Sequence, residues 1–356
     1  MTELRGNRFG IKESPEEILS ILENVADVHG LCTTNQRLYY VWDWTTLRQI
    51  NWFSPSSIKK YVGALRRDGI TSTYPSVCGA TYLRVKNHYL GFYPKQGYII
   101  KAFLNEESLK RHVEGVKRFN EFGFRTIKAP GIQISSLNPF PHTLERLIFG
   151  ENYQIKPLDL EIDLIHELAD FHFYRSDEIE VFIEDEDKQL IIGNLKKQDL
   201  NRIEINKIHT FLNQSSWKVI EGEIHGDLNQ GNLICGTDAV YLTDWEFFSK
   251  GPIAQDLVKL YYQAGERVRR IILDVYQNKQ DSLPNSKQTE NFVSSLLLYT
   301  LIALLSFYKD STEQLLMVSE DPTILNKKFM IQEQNLIDSI QLLITENEKR
   351  KSTTLK

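Results

Sequence analysis

The residues best suited to chemistry lie in two short stretches, 225–232 and 243–246. The first reads His-Gly-Asp-Leu-Asn-Gln-Gly-Asn and the second reads Thr-Asp-Trp-Glu. Two short apolar runs around a turn separate them, which predicts a β-hairpin. Because hairpin strands run antiparallel, we expect Asn232 and Asp244 to finish side by side, with Asp227 close by on the preceding loop. Carboxylate and amide oxygens suit Mg²⁺, so the spacing predicts a metal and proton-transfer site.

The order of these residues fits phosphoryl transfer. In kinases a loop aspartate orients or deprotonates the attacking hydroxyl, while a downstream Asn and a later Asp hold the metal. Each residue type is also common in turns and at solvated strand ends, so any one of them alone indicates only a loop. The whole ordered set on a predicted hairpin favours catalysis over that structural interpretation.

At these residues the chain resembles the aminoglycoside phosphotransferase and choline kinase-like superfamily, whose pattern is H-G-D-x-x-x-x-N followed by D-x-D/E. The resemblance implies that Asp227 is the catalytic base and that Asn232 and Asp244 are metal ligands. It also implies three supporting residues, which are His225, Glu246 and Asp256. Length and motif resemble the bacterial spore coat kinase-like proteins as well, so a weakly active or inactive structural or binding protein stays an alternative.

The elements that must position these residues can be read from apolar periodicity. Strands are predicted at 83–85 and 98–103, flanking a connection at 87–97. Asn105 caps a predicted helix that stops near Gly123, and strands follow at 126–128 and 143–148. Gly150 marks the transition to helices.

This order of elements predicts an α+β, bilobal fold like that of protein kinases. We expect an antiparallel N-lobe sheet with one main helix and a mostly helical C-lobe. The predicted domains are a helical N-terminal extension over 1–68, a nucleotide-binding N-lobe over 69–149, and a C-lobe over 150–356 that carries the catalytic loop, the metal ligands and the acceptor site.

Within the superfamily pattern, Lys101 takes the place of the strand lysine that grips the α- and β-phosphates of the nucleotide. The following helix should supply its carboxylate partner, for which Glu114 is the first candidate and Glu107 the second. The resemblance also makes 144–151 the hinge whose backbone groups bind adenine. The hinge positions named on this basis are Glu145, Arg146 and Leu147.

Three departures from the protein kinase pattern narrow the function. No G-x-G-x-x-G precedes Lys101, so the phosphate loop is expected at 69–79, where a plain polar turn is an equal alternative. Gly226 replaces the Arg of H-R-D, and Asp-Trp-Glu replaces D-F-G with no A-P-E downstream. These features favour an O-phosphotransferase that uses ATP and Mg²⁺ on a small hydroxylated molecule, over a regulated protein kinase.

Composition sets the remaining expectations. The chain has 356 residues, 41% hydrophobic and 25% charged, with a net charge of −5, so it lacks the basic excess of a nucleic-acid binder. Its three cysteines lie far apart without metal-site spacing, and no signal-peptide pattern is visible, which favours the cytoplasm. The longest apolar stretch, Phe292 to Tyr308, is interrupted by hydroxyl residues and predicts a buried helix instead of a membrane span.

Overall fold

A computed structural model describes most of the chain from residue 15 to residue 354. The described residues are 15–31, 40–43, 46–49, 55, 58–59, 83–85, 88–93, 96–148, 150–152, 162–196, 202–284, 289–317 and 322–354. The predicted phosphate loop at 69–79 and most of the predicted N-terminal extension lie outside these ranges.

The helices and strands are numbered in chain order. The helices are α1 Pro15–Val28, α2 Glu106–Glu121, α3 Ile162–Phe173, α4 Asp185–Leu195, α5 Arg202–Leu212, α6 Ile253–Gln263, α7 Glu266–Asp281, α8 Phe292–Met317 and α9 Pro322–Thr354. The strands are β1 Tyr40–Asp43, β2 Thr46–Gln49, β3 Leu83–Val85, β4 His88–Tyr93, β5 Tyr98–Phe103, β6 Ile127–Lys128, β7 Ile132–Ser136, β8 His142–Arg146, β9 Glu151–Asn152, β10 Asp177–Val181, β11 Trp217–Ile224, β12 Leu233–Cys235, β13 Val240–Leu242 and β14 Ser249–Pro252. This mixture of antiparallel sheets and helices confirms the predicted fold class.

The chain forms two compact units. The first contains residues 1–155 and 231–248, and the second contains 156–230 and 249–356. The predicted hairpin therefore belongs to the first unit, whereas the predicted catalytic loop up to Gln230 belongs to the second. The three domains drawn from the sequence, 1–68, 69–149 and 150–356, stay a prediction.

The main sheet of the first unit has five antiparallel strands in the order β3-β4-β5-β8-β7. Its β4 strand corrects the sequence prediction, which left 87–97 as a connection. Gly91 interrupts the apolar pattern there, and its missing Cβ matters because a Cβ would lie 3.2 Å from the Tyr93 ring. A glycine inside a strand often marks such a close approach.

One face of this sheet is covered by α1. Leu22, Val25 and Ala26 of the helix are buried with Ile100, Ala102 and other residues of the sheet. The described part of the extension thus includes a helix on the sheet, as expected, but also the β1-β2 hairpin, which the sequence prediction missed.

Helix α2 begins where the sequence predicts. The Asn105 side chain accepts a hydrogen bond of 2.8 Å from the Ser108 amide, which satisfies one of the free donors of the first turn. At Gly115 a Cβ would lie 2.8 Å from both Trp245 and Phe248, so glycine allows the close approach of α2 to this segment. Helix α2 is thereby packed against the residues that follow Asp244.

The predicted hairpin is confirmed. Strands β12 and β13 pair in antiparallel register, with Leu233 opposite Leu242, and β6 adds in parallel beside β13. The Gly236 amide donates to the Ala239 carbonyl at 2.9 Å and closes the turn.

The second unit is mostly helical, as predicted, but also holds a three-stranded antiparallel sheet in the order β10-β11-β14. Helix α3 packs against β11 closely enough that a Cβ at Gly222 would lie 1.9 Å from the His172 carbonyl oxygen. Helices α8 and α9 pack against α6. Among the described residues, no helix is both long and apolar enough to cross a membrane.

Candidate active site

The predicted catalytic loop, in the second unit, is organised around one buried carboxylate. Asp256, on α6, is 4% exposed. Its two oxygens accept hydrogen bonds from the backbone amides of His225 at 2.8 Å, Gly226 at 2.8 Å and Leu228 at 3.4 Å. Gly226 has φ of +84°, which glycine adopts without strain. Asp256 thus lies where a residue that braces the loop should lie.

Asp256 is also bound by a histidine. His172 Nε2 donates to its Oδ2 at 3.2 Å, and His172 Nδ1 lies 2.8 Å from the Tyr276 hydroxyl. Burial raises the pKa of Asp256, but the hydrogen bond and charge of His172, followed by the charge and amide of His225, outweigh it and keep the pKa below its ordinary value. The loop is therefore held by an ionised carboxylate.

Helix α6 binds the loop at two further points that the sequence interpretation missed. Lys259 Nζ donates to Asp227 Oδ1 at 2.5 Å. The Gln263 side-chain oxygen accepts from the Gln230 amide at 2.9 Å. Asp256, Lys259 and Gln263 have i, i+3, i+7 spacing, which places them on one helix face and would have been the signal for this role.

Asp227, the predicted catalytic base, is partly exposed. Its side chain has 26% exposure, and its oxygen is oriented by Lys259. Its amide donates to His225 Nδ1 at 3.2 Å, while its carbonyl accepts from the Asn229 side chain at 2.8 Å. His225 is fully buried, so its contribution is to the shape of the loop.

In the first unit the hairpin brings Asn232 and Asp244 to its open end, as predicted. The Thr243 amide donates to the Asn232 carbonyl at 2.8 Å and continues the ladder by one residue beyond the strands. Asp244 follows with φ of 74° and ψ of 51°, in the left-handed region. This conformation is uncommon outside glycine, and such residues concentrate at functional sites.

Lys101 meets Asp244 in this unit. Lys101 is 4% exposed, and its Nζ forms an ion pair with the Asp244 carboxylate. The ammonium also lies 5.2 Å from the centre of the Phe103 ring. The pair joins residues that are 143 positions apart in the chain.

In the structure Glu114 is not the ion-pair partner of Lys101. Glu114 lies on the exposed face of α2, and Glu107 is ion-paired with Arg111 at 3.6 Å. The buried face of α2 carries His112, whose Nε2 donates to Glu145 Oε1 at 2.9 Å. Helical periodicity made Glu114 plausible, but the buried face of α2 carries His112 and the exposed face carries Glu114.

The predicted hinge positions 145–147 lie at the end of β8 and directly after it. Glu145 is buried, with its side chain bound to His112 and to Thr143. The Arg146 amide donates to the Gly131 carbonyl at 3.1 Å, and the Leu147 amide donates to the Gly97 carbonyl at 2.9 Å. These two donors are therefore engaged within the first unit, and an adenine contact by them stays a prediction.

The residues after Asp244 are firmly packed. Glu246 is 3% exposed, and the Trp245 indole donates to the Leu242 carbonyl at 2.8 Å. The donor set of Asp244 and Asn232 suits a hard cation. Among the described residues, no three His, Cys, Asp or Glu side chains form a metal cluster, but Mg²⁺ is usually held by one or two protein groups plus substrate phosphates. The residues present therefore fit Mg²⁺.

The segment from 218 to 285 contains most of β11, the predicted catalytic loop, the hairpin, α6 and α7. It matches the phosphotransferase enzyme family. The match confirms, for this segment, the resemblance drawn from the motif. None of the curated proteins compared with the sequence is similar to it.

Several solved structures are similar in fold to this chain. An aminoglycoside phosphotransferase from Alicyclobacillus acidocaldarius has 13% identity and a TM-score of 0.46, over 76% of this chain and 92% of that one. A choline/ethanolamine kinase family protein from Mesorhizobium loti has 10% identity and a TM-score of 0.42, over 74% and 87%. A macrolide 2'-phosphotransferase from Brachybacterium faecium has 12% identity and a TM-score of 0.39, over 71% and 91%.

Proposed function

We propose that the protein is an ATP- and Mg²⁺-dependent O-phosphotransferase that moves the γ-phosphoryl group of ATP to a hydroxyl of a small molecule. The acceptor class is an antibiotic, a biosynthetic intermediate, an amino alcohol or a sugar. The observation that supports this most is the ion pair of the buried strand lysine Lys101 with Asp244 of the second motif. A cytoplasmic location stays a prediction.

Each group has a distinct task in the proposed reaction. Asp227, oriented by Lys259, accepts the proton of the acceptor hydroxyl, whose oxygen attacks the γ-phosphorus. The bond from that phosphorus to the β–γ bridging oxygen breaks and leaves ADP. Lys101 neutralises phosphate oxygens of the nucleotide. Asn232 and Asp244 would hold Mg²⁺, which supplies further neutralisation of phosphate charge.

The loop geometry explains why Asp256 matters for this reaction without touching the substrate. Three backbone amides of the loop converge on its carboxylate. Because these bonds fix the backbone on both sides of Asp227, they limit where its carboxylate can lie. Positioning of this kind contributes much of the rate in phosphoryl transfer.

A calorimetric titration with ATP and Mg²⁺ tests the proposal, followed by a screen of hydroxylated metabolites and antibiotics for ADP release. We expect wild-type protein to bind and to be thermally stabilised. A Lys101→Met variant should lose most of this effect. If folded wild-type protein gave neither heat nor stabilisation, the structural or binding alternative would replace the kinase assignment.

A further inference from the structure

A buried carboxylate lies on β8, the strand that pairs with the strand of Lys101. Glu145, on β8, is 6% exposed. It accepts hydrogen bonds from His112 Nε2 at 2.9 Å and from the Thr143 hydroxyl at 2.5 Å. Burial raises its pKa, but the charge and hydrogen bond of His112, the charge of Lys101 and the Thr143 hydroxyl together lower it to about 2. Glu145 is therefore ionised at neutral pH inside the first unit.

The sheet register places Glu145 on the same face as Lys101. Lys101 lies opposite Thr143 in the antiparallel pairing of β5 with β8. Glu145 is two residues beyond Thr143, so the side chains of Thr143 and Glu145 point to one face of the sheet. Lys101 and Glu145 are thus a diagonal cross-strand pair, a separation that a lysine side chain can span.

Asp244 has two competing tasks in the proposed reaction. It is the ion-pair partner of Lys101 in this structure, yet it is also a proposed Mg²⁺ ligand. A lysine as buried as Lys101 is costly to leave without a counterion. A carboxylate that stays beside Lys101 while Asp244 binds metal would remove this conflict.

We propose that Glu145 is the permanent counterion of Lys101 and that His112 holds Glu145 in place, so that β8 instead of α2 supplies the carboxylate that positions Lys101 for the nucleotide phosphates. This inference rests on the proposed function. Helix α2 then contributes a histidine, which binds the carboxylate, and not a carboxylate of its own. Glu145 acts through Lys101 and is a positioning residue.

A double-mutant cycle tests the inference. Mg²⁺-ATP affinity is measured calorimetrically for wild type, Glu145→Gln, Lys101→Met and the double variant. We expect Glu145→Gln to weaken binding about tenfold in the wild-type background and to have no further effect once Lys101 is replaced. If Glu145 only repelled the phosphates, its replacement would tighten binding in both backgrounds, and this result would overturn the inference.

Two further variants test whether the effect belongs to Glu145 itself. Glu121→Gln makes the same chemical change at an exposed α2 residue paired with Arg118, and it should bind nucleotide as wild type does. Glu114→Gln tests the rival carboxylate, because coupling of Glu114 with Lys101 would assign the role to α2 and refute the role of Glu145. If wild type binds Mg²⁺-ATP and Glu145→Gln matches Glu121→Gln, only the inference fails. Absence of wild-type binding would reject the proposed function and the inference together.

If Glu145→Gln does not fold, Thr143→Val replaces it in the cycle. Valine keeps the shape of threonine but removes the hydroxyl that donates to Glu145. We expect a weakening of about two- to threefold that again disappears in the Lys101→Met background. Equal effects in both backgrounds would mean that the carboxylate does not act through Lys101.

Discussion

The loop around Asp227 and the strand face around Lys101 hold their charged groups in different ways. Asp256 binds mainly backbone amides, which belong to a single short loop. Lys101 and Glu145 instead bind other side chains, from separate elements of the first unit. Backbone contacts fix one shape of the loop, whereas side-chain ion pairs can exchange partners when a ligand arrives. The first region is therefore suited to positioning a base and the second to binding a charged nucleotide.

The largest effect should come from Asp227→Asn. The amide keeps the shape and can orient a hydroxyl but cannot accept its proton, so turnover should fall about 10²- to 10⁴-fold with nucleotide affinity near wild type. Steady-state kinetics and calorimetry measure the two quantities. Asp274→Asn, at an exposed residue paired with Arg350, is the matched control. Unchanged turnover of the true acceptor in Asp227→Asn would refute the assignment of the base.

Asp256→Ala should have the largest effect on stability. It leaves three loop amides and His172 without their buried acceptor, so the free energy of unfolding should fall by about 3–5 kcal/mol. Urea unfolding measures the loss, with Asp274→Ala as the control. A stability near wild type would mean that the backbone contacts do not organise this region and would remove the contrast between the two regions.

Lowering the pH should reduce the free energy of unfolding through Glu145 on β8. Its folded pKa of about 2 lies below the ordinary value of 4.5. The contribution of ionised Glu145 to the free energy of unfolding is therefore fully present above about pH 4.5 and is lost as the pH falls toward about 2. This contribution amounts to about 3 kcal/mol. The difference in unfolding free energy between wild type and Glu145→Gln should shrink over this window. A difference independent of pH would show that Glu145 is not held as a carboxylate in the folded state.

Asp244→Ala should have the smallest effect on folding. Glu145 stays near Lys101 when the ion pair is lost, so the loss of the pair and an alanine at a positive φ should together cost only about 1–2 kcal/mol. The Mg²⁺ dependence of nucleotide binding should be lost, since Asp244 is a proposed ligand. Thermal melting and calorimetry at several Mg²⁺ concentrations give both readouts. A large drop in melting temperature with unchanged metal dependence would mark Asp244 as a structural cap.

Local sequence patterns determined much of the first unit. The Asn105 cap and the hairpin after Asn232 depend on contacts within a few residues, which composition and spacing reveal. The β4 strand was missed because Gly91 breaks the local apolar pattern. Its place in the sheet depends on pairing with β3 and β5.

The sequence by itself determined which residue types could perform phosphoryl transfer and their order along the chain. Only the tertiary structure decided which side chains form ion pairs with them. Lys101 pairs with Asp244 and not with Glu114, and Asp227 pairs with Lys259 of α6. The physical reason is that such pairs join residues far apart in the chain, 143 positions for Lys101 and Asp244 and 32 for Asp227 and Lys259. Strand pairing and packing set these contacts, and the residues around Lys101 or Asp227 do not indicate the distant partner.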